Sequence, residues 1–186
     1  MMLLLLISAC RPYDDPIEVS VVDLTHEYED AEKRPAAGFQ IAAYSIGGVT
    51  HASILAPVPS RLTWQMPLPR RGMFHMYVAL ADPPPGAQAS TARIHMGISS
   101  GRLYERLTEA ILTPGPRRWI DVRADLSAYA GWKWSLFYRP DLVTWKLVLG
   151  ADLMDGAPAK VVWALPEVLT DTKSAHEYAV RRARLR

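Results

Sequence analysis

The chain has 186 residues, of which 49% are hydrophobic and 22% charged, and its formal net charge at pH 7 is +2. A chain of this size buries roughly two thirds of its unfolded surface, so a single domain with a full hydrophobic core is expected. The near balance of charge argues against a nucleic-acid groove, and the single cysteine, Cys10, excludes an internal disulfide framework.

The first ten residues, MMLLLLISAC, form a leucine run that ends in small residues just before Cys10. This pattern is typical of an export segment that ends at a processing site. The Ile7-Ser8-Ala9-Cys10 motif resembles the lipobox of bacterial lipoproteins, in which the cysteine is lipidated and becomes the mature N-terminus. The resemblance implies membrane anchoring through lipidated Cys10, in the cell envelope, facing the periplasm or the cell surface. The segment lacks a preceding Lys or Arg and is short, so an apolar tail with a chance cysteine is the alternative.

The next segment, residues 11–20, is predicted to be a tether between this anchor and a folded domain over residues 21–170. Proline and charge resist compact structure in the tether: Pro12, Asp14, Asp15 and Pro16. Between Val19 and Lys33 a few apolar side chains stand among acids, which allows one short helix that Pro35 ends.

After Gly38 the pattern changes to short runs of β-forming residues separated by Pro and Gly. The predicted strands cover residues 39–46, 50–55, 61–66, 73–81, 92–98, 119–124, 132–139, 143–149 and 160–164. Apolar residues alternate along several of them, as Phe74, Met76 and Val78 do, so each strand turns one face toward a core. One-sided strands with almost no helix between them favour two packed antiparallel sheets over a parallel α/β fold.

Two proline-rich runs, residues 83–86 and 113–116, cannot lie inside a sheet and are predicted to be loops at its ends. The last segment, residues 171–186, is predicted to be a basic tail or a helix capped at Asp171 or Thr172. Its arginines suit the last turn of a helix, where positive charge is stabilised.

The segment WIDVRADLSAYAG at residues 119–131 combines a tryptophan strand, an Asp-Leu-Ser turn and a glycine, and an apolar strand follows it. Together with the later Trp163-Ala-Leu-Pro-Glu167, this order resembles the galactose-binding-like jelly roll over residues 49–168. It is similar in particular to the modules that precede the catalytic domain in some bacterial sulfatase-like hydrolases. We therefore expect an all-β jelly-roll β-sandwich with short helices near the N- and C-termini. The chemistry of the Asp-Leu-Ser segment agrees with this resemblance, because Asp125 and Ser127 favour a local bend between two strands.

Catalytic motifs are weak by comparison. In those hydrolases a long catalytic region follows the module, whereas this chain ends soon after Glu167. Their nucleophile motif has a near match at Cys10-Arg11-Pro12-Tyr13-Asp14, but Asp14 stands where arginine is required. No serine lies in a Gly-x-Ser-x-Gly elbow, and Gly47-Gly48 lacks the lysine of a phosphate loop. The sequence therefore predicts that the protein is not an enzyme and uses no cofactor.

A polar patch is the first candidate site. If strands 73–81 and 92–98 pair as a hairpin, four side chains meet opposite the apolar row: His75, Tyr77, Arg93 and His95. Such a patch is able to hydrogen-bond a sugar, hold an anion or ligate a metal. No carboxylate is placed by the sequence to complete a metal site, so no metal is predicted. The alternative is the ordinary solvated face of a half-buried sheet.

Tryptophan is the second source of candidates, since the chain has six and aromatic rings stack on sugars. Five are expected in the core or at a sheet edge: Trp64, Trp132, Trp134, Trp145 and Trp163. Trp119 differs because it shares a strand face with Asp121 and Arg123, so it joins the candidate ligand-binding residues.

The main hypothesis is a non-catalytic bacterial envelope lipoprotein whose jelly-roll domain binds carbohydrate or an envelope protein. One alternative is an accessory module that docks to a separately encoded sulfatase-like hydrolase. Another is a purely structural lipoprotein. No nucleic-acid partner is expected.

Overall fold

The computed structural model describes residues 16–83, 85–86, 88–115, 117–130 and 144–185. In these ranges the chain forms eleven β-strands, two 3₁₀ helices and one α-helix. In chain order the elements are β1 (Val19–Asp23), a 3₁₀ helix (Tyr28–Asp30), β2 (Glu32–Arg34), β3 (Gln40–Ile46), β4 (Val49–Pro57), β5 (Ser60–Met66), β6 (Met73–Leu80), β7 (Thr91–Ser99), β8 (Tyr104–Leu112), β9 (Ile120–Asp125), a 3₁₀ helix (Ser127–Tyr129), β10 (Trp145–Asp155), β11 (Lys160–Thr170) and α1 (Thr172–Ala183).

The strands form two antiparallel sheets. Sheet A has the order β3-β4-β11-β6-β9, with β1 also paired to β11, and sheet B has the order β2-β5-β10-β7-β8. Connections such as β4 to β5, β6 to β7 and β8 to β9 cross from one sheet to the other. This is the jelly-roll form of a β-sandwich, and it confirms the predicted all-β fold.

The core lies between the sheets and uses the alternation seen in the sequence. Phe74, Met76 and Val78 of β6 are fully buried, as predicted. Trp163 from sheet A and Trp64 from sheet B are 0% and 1% exposed, which places both tryptophans in the core. Buried aromatic side chains of this size supply much of the hydrophobic stabilisation of a small sandwich.

The N-terminal part differs from the prediction. A short helix is present, but it is a single 3₁₀ turn at Tyr28–Asp30, and Val19–Asp23 forms β1 instead. β1 pairs with β11 and buries Val22, and Leu24 just after it is also buried. β1 begins inside the range that the sequence assigned to the tether, because its apolar side chains gain a place in the core that no local pattern reveals.

Strand β8 is absent from the sequence prediction, because its residues, YERLTEAIL, show no regular apolar alternation. It lies at the edge of sheet B and most of its side chains are exposed or half-buried. The predicted strand 132–139, with Trp132 and Trp134, lies outside the described residues, as does Cys10.

The C-terminal helix is confirmed at Thr172–Ala183, with Asp171 as its cap. The Ser174 backbone amide donates to Oδ1 of Asp171 at 2.9 Å, which satisfies one of the free amides of the first turn. Tyr178 is 2% exposed and belongs to the core. In the described part of the chain, no helix has the length and hydropathy to span a membrane.

Candidate functional site

The structure divides the predicted ligand-binding residues between the two outer faces of the sandwich. β6 pairs with β9 and β11 in sheet A, whereas β7 pairs with β8 and β10 in sheet B. His75 and Tyr77 therefore lie on the outside of sheet A, and Arg93 and His95 on the outside of sheet B. The prediction that these four side chains meet across a hairpin is wrong, because the proline-rich connection between the strands passes from one sheet to the other.

The sheet A face is the outward side of sheet A around His75, Tyr77 and Trp119. There His75, which is 7% exposed, lies between two carboxylates. Its Nδ1 is hydrogen-bonded to Oε1 of Glu167 at 3.1 Å, and its Nε2 is 3.3 Å from Oδ1 of Asp121 without hydrogen-bond geometry. The sequence did not place either carboxylate beside His75, because the contact depends on which strands are neighbours.

Four rings on the sheet A face pack against one another. His51 stacks on Tyr77 with 5.1 Å between ring centroids and 2° between planes. Trp119 contacts His51 edge-on at 5.2 Å, and Tyr44 contacts Trp119 at 6.4 Å. Trp119 Nε1 also donates to the Val49 carbonyl at 3.2 Å. All four rings are half-buried, and each contacts at least one of the others.

The sheet B face is the outward side of sheet B around His95 and Tyr104, and two glycines shape it. The His95 imidazole occupies the space above Gly150, where a Cβ would lie 2.3 Å from His95 Nε2. The Tyr104 phenol occupies the space above Gly97, where a Cβ would lie 2.5 Å from the phenol oxygen. Only glycine leaves room for these rings. The two rings meet edge to face, with 6.4 Å between centroids.

Tyr104 is the most accessible of the phenylalanine, tyrosine and tryptophan residues that the structure describes. It is 45% exposed, and every other phenylalanine, tyrosine and tryptophan in the described ranges is half-buried or buried. Partial burial of the phenol raises the pKa of Tyr104, so it is neutral at pH 7. A ring held in place on one side and open on the other is suited to stacking against the apolar side of a ligand.

Charged side chains surround these rings. The pKa of His95 is lowered, first by burial of the imidazole and then by nearby arginines, against the opposing attraction of Asp152. His95 is therefore neutral at pH 7. It is 6% exposed, and its Nδ1 lies 3.6 Å from Oδ2 of Asp152 with no hydrogen-bond partner among the described residues. Arg93 Nη2 donates to the same Asp152 oxygen at 3.0 Å.

Sequence reasoning missed Tyr104 because it did not predict β8. A usable signal was nevertheless present, since Gly97 and Gly150 interrupt two otherwise regular strands. An isolated glycine inside a strand marks a place where other atoms approach the backbone closely. Here those atoms belong to a tyrosine and a histidine, and their positions follow from strand pairing.

Neither face holds a metal centre in the part of the chain that the structure describes. Within those ranges, no group of three or more His, Cys, Asp or Glu side chains could hold a metal ion. The polar side chains of both faces are hydrogen-bond donors and acceptors.

No family model matches the sequence, and no curated protein is significantly similar to it. Among solved structures, an exo-β-agarase is similar with a TM-score of 0.50 at 7% identity, over 88% of this chain and 26% of that chain. TmCBM61, solved in complex with β-1,4-galactotriose, has a TM-score of 0.49 at 6% identity, over 84% of this chain and 99% of that chain. The tandem CBM22 domain of Paenibacillus barcinonensis Xyn10C has a TM-score of 0.49 at 12% identity, over 85% of this chain and 47% of that chain.

These matches concern the fold. The chain spans about a quarter of the agarase structure and nearly the whole of the TmCBM61 structure. At 7% identity the likeness to the agarase structure concerns the β-sandwich fold alone, and the choice of ligand has to be argued from the residues of this chain.

Proposed function

We propose that this domain is a non-catalytic saccharide-binding module whose ligand lies against Tyr104 on the sheet B face. The observation that carries the proposal is the exposed Tyr104 ring, seated over Gly97 and beside His95. A sugar ring has an apolar side of C–H groups and a rim of hydroxyls. It therefore stacks on an aromatic ring and hydrogen-bonds to polar groups around that ring.

The surroundings of Tyr104 supply those polar groups. Arg93 donates hydrogen bonds, Asp152 accepts them, and both are only partly buried. All of these side chains project from paired strands, so little conformational freedom is lost when a ligand binds. This preorganisation favours binding without any change in the fold.

The first test is a broad glycan array with the domain, followed by calorimetry on each glycan that binds. We expect Tyr104→Ala to weaken binding about tenfold or more, because stacking contributes about 1 kcal/mol beyond the buried area. The matched control is Tyr44→Ala, which removes a tyrosine ring from the sheet A face and is expected to leave the affinity unchanged.

Two outcomes would overturn the proposal. If Trp119→Ala abolishes binding while Tyr104→Ala binds like the parent, the ligand lies on the sheet A face. If no glycan binds to the folded domain, the protein is a docking or purely structural module.

The location of the domain is a further part of the proposal. The Ile7-Ser8-Ala9-Cys10 motif supports a lipid anchor at Cys10 in the bacterial envelope, facing the periplasm or the cell surface. There the module would hold a saccharide, or bring one to a separately encoded sulfatase-like hydrolase. The exposed Leu103 and Ile111 on either side of Tyr104 along the chain would suit contact with such an envelope protein.

A further inference from the structure

The outward positions of sheet B form rows that run across its strands. In one row, Arg61 of β5 is paired with Gly150 of β10, which is paired with His95 of β7. Gly150 has no side chain, so Arg61 and His95 face each other across it. Their Cα atoms are two strands apart, which is about 10 Å.

A second row has the same arrangement. Lys146 of β10 is paired with Ser99 of β7, which is paired with Tyr104 of β8. Ser99 has a small side chain, so the longer side chains of Lys146 and Tyr104 face each other across it. Each ring of the site thus has one cation opposite it, about 10 Å away between Cα atoms.

Arg61 and Lys146 differ from the other cations of this face. In the described ranges neither forms an ion pair, whereas each of the others has a carboxylate partner: Arg34 with Glu32, Arg93 with Asp152, and Arg106 with Glu109. On the strands of this face three cations are thus paired with three carboxylates, and Arg61 and Lys146 add two further positive charges among the described residues. The two positive charges without a partner are the ones opposite the rings.

We infer that the saccharide bound on the sheet B face is acidic and that Arg61 and Lys146 hold its carboxylate or sulfate groups. This inference rests on the proposed function. A guanidinium binds a carboxylate or sulfate through two parallel hydrogen bonds, and an ammonium adds a compact positive charge. The sugar ring stacks on Tyr104 while its acidic groups lie toward β5 and β10. The neutral His95 between them donates a hydrogen bond without adding charge.

The test compares ligands that differ only in charge. One pair is an oligogalacturonate and its methyl ester, and the other is a sulfated galactan oligosaccharide and its desulfated form. We expect the acidic member of at least one pair to bind about tenfold more tightly than its neutral counterpart. The pair that shows the difference identifies carboxylate or sulfate as the recognised group. Added salt should reduce the difference, because the two cations are near the surface.

Two variants locate the effect. Arg61→Gln and Lys146→Gln are each expected to lower the affinity for the acidic ligand about tenfold and to leave the affinity for the neutral ligand unchanged. The matched control is Arg118→Gln/Lys160→Gln, which removes the same charges from positions before β9 and at the start of β11 in sheet A. It should bind both ligands like the parent. Unchanged thermal unfolding of each variant establishes that the fold is intact.

The outcomes separate the two proposals. If neutral and acidic ligands bind equally and Tyr104→Ala abolishes both, the acidic preference is overturned and the proposed function stands. If Arg61→Gln and Lys146→Gln retain the preference, the assignment of these two cations is overturned. If no member of either pair binds and the glycan array shows no binding, both proposals are overturned.

Discussion

At the scale of single residues, Gly97 and Gly150 determine what the sheet B face presents. Each lies inside a strand, and each gives up its side-chain volume to a ring from a neighbouring strand. A Cβ at either position would force the ring away, because it would come within 2.5 Å of the ring or closer. The glycines therefore act through the residues that they admit, His95 and Tyr104.

A pH-dependent stability follows from His95. Burial lowers its pKa in the folded state below the ordinary value of 6.5. As the pH falls below 6.5, the unfolded chain takes up a proton at this site before the folded chain does, so stability is lost. The loss stops once the pH is below the folded pKa as well.

The measurement is urea unfolding of the parent and His95→Asn between pH 7 and pH 5. The free energy of unfolding should fall more steeply for the parent, because the variant has no titratable side chain at position 95. Parallel curves for the two proteins would contradict the role assigned to burial of His95.

At the scale of elements, β11 is the strand that organises sheet A. It pairs with β1, β4 and β6, and its register shifts between Ala164 and Glu167, where Leu165 has a positive φ of 46°. This bulge brings Glu167 opposite His75 and so creates the contact between imidazole and carboxylate on the sheet A face. Directly after the last residue of β11, Asp171 caps the C-terminal helix.

The helix cap is open to a direct test. Asp171 accepts hydrogen bonds from the Ser174 amide and hydroxyl, both at 2.9 Å, and its carboxylate lies 3.7 Å from Arg71 Nε. Asp171→Ala should lower the free energy of unfolding by about 2 kcal/mol, because the cap and its charge are both lost. Asp171→Asn is the control, since asparagine caps helices equally well.

Urea unfolding measures both variants. Equal stability of Asp171→Ala and the parent would show that the cap is dispensable. Saccharide affinity should not change in either variant, because α1 packs against β1, away from the sheet B face.

At the scale of the whole molecule, the sandwich separates two outer faces. Sheet A carries a self-packed aromatic cluster and a histidine between two carboxylates, whereas sheet B carries an accessible ring among cations. The proposed anchor at Cys10 would hold this domain near a membrane. The proposed location depends on the N-terminal anchor and is independent of which face binds a ligand.

Anchoring is tested with the full chain expressed in a bacterial host. We expect the parent to sediment with membranes and to incorporate a labelled fatty acid, because lipidated cysteine partitions into the bilayer. Cys10→Ala should carry no label and should leave the membrane fraction. Identical fractionation and no label in either protein would contradict lipidation at Cys10.

The sequence by itself determined several of the strands, β6 among them, and which way their side chains point. The alternation of Phe74, Met76 and Val78 predicts their burial, and the same period places His75 and Tyr77 outward, because side chains of a strand alternate between two faces. Asp171 as a helix cap also follows from local chemistry, since the bonds span only three residues.

Only the tertiary structure decided which strands are neighbours. β6 and β7 follow one another in the chain but lie in different sheets, so Arg93 and His95 never meet His75. Pairing depends on the burial of the whole core, and a local pattern is compatible with several partners. Tyr104 is the clearest case, because its place over Gly97 is a contact between strands and its own strand lacks the alternation that would predict it.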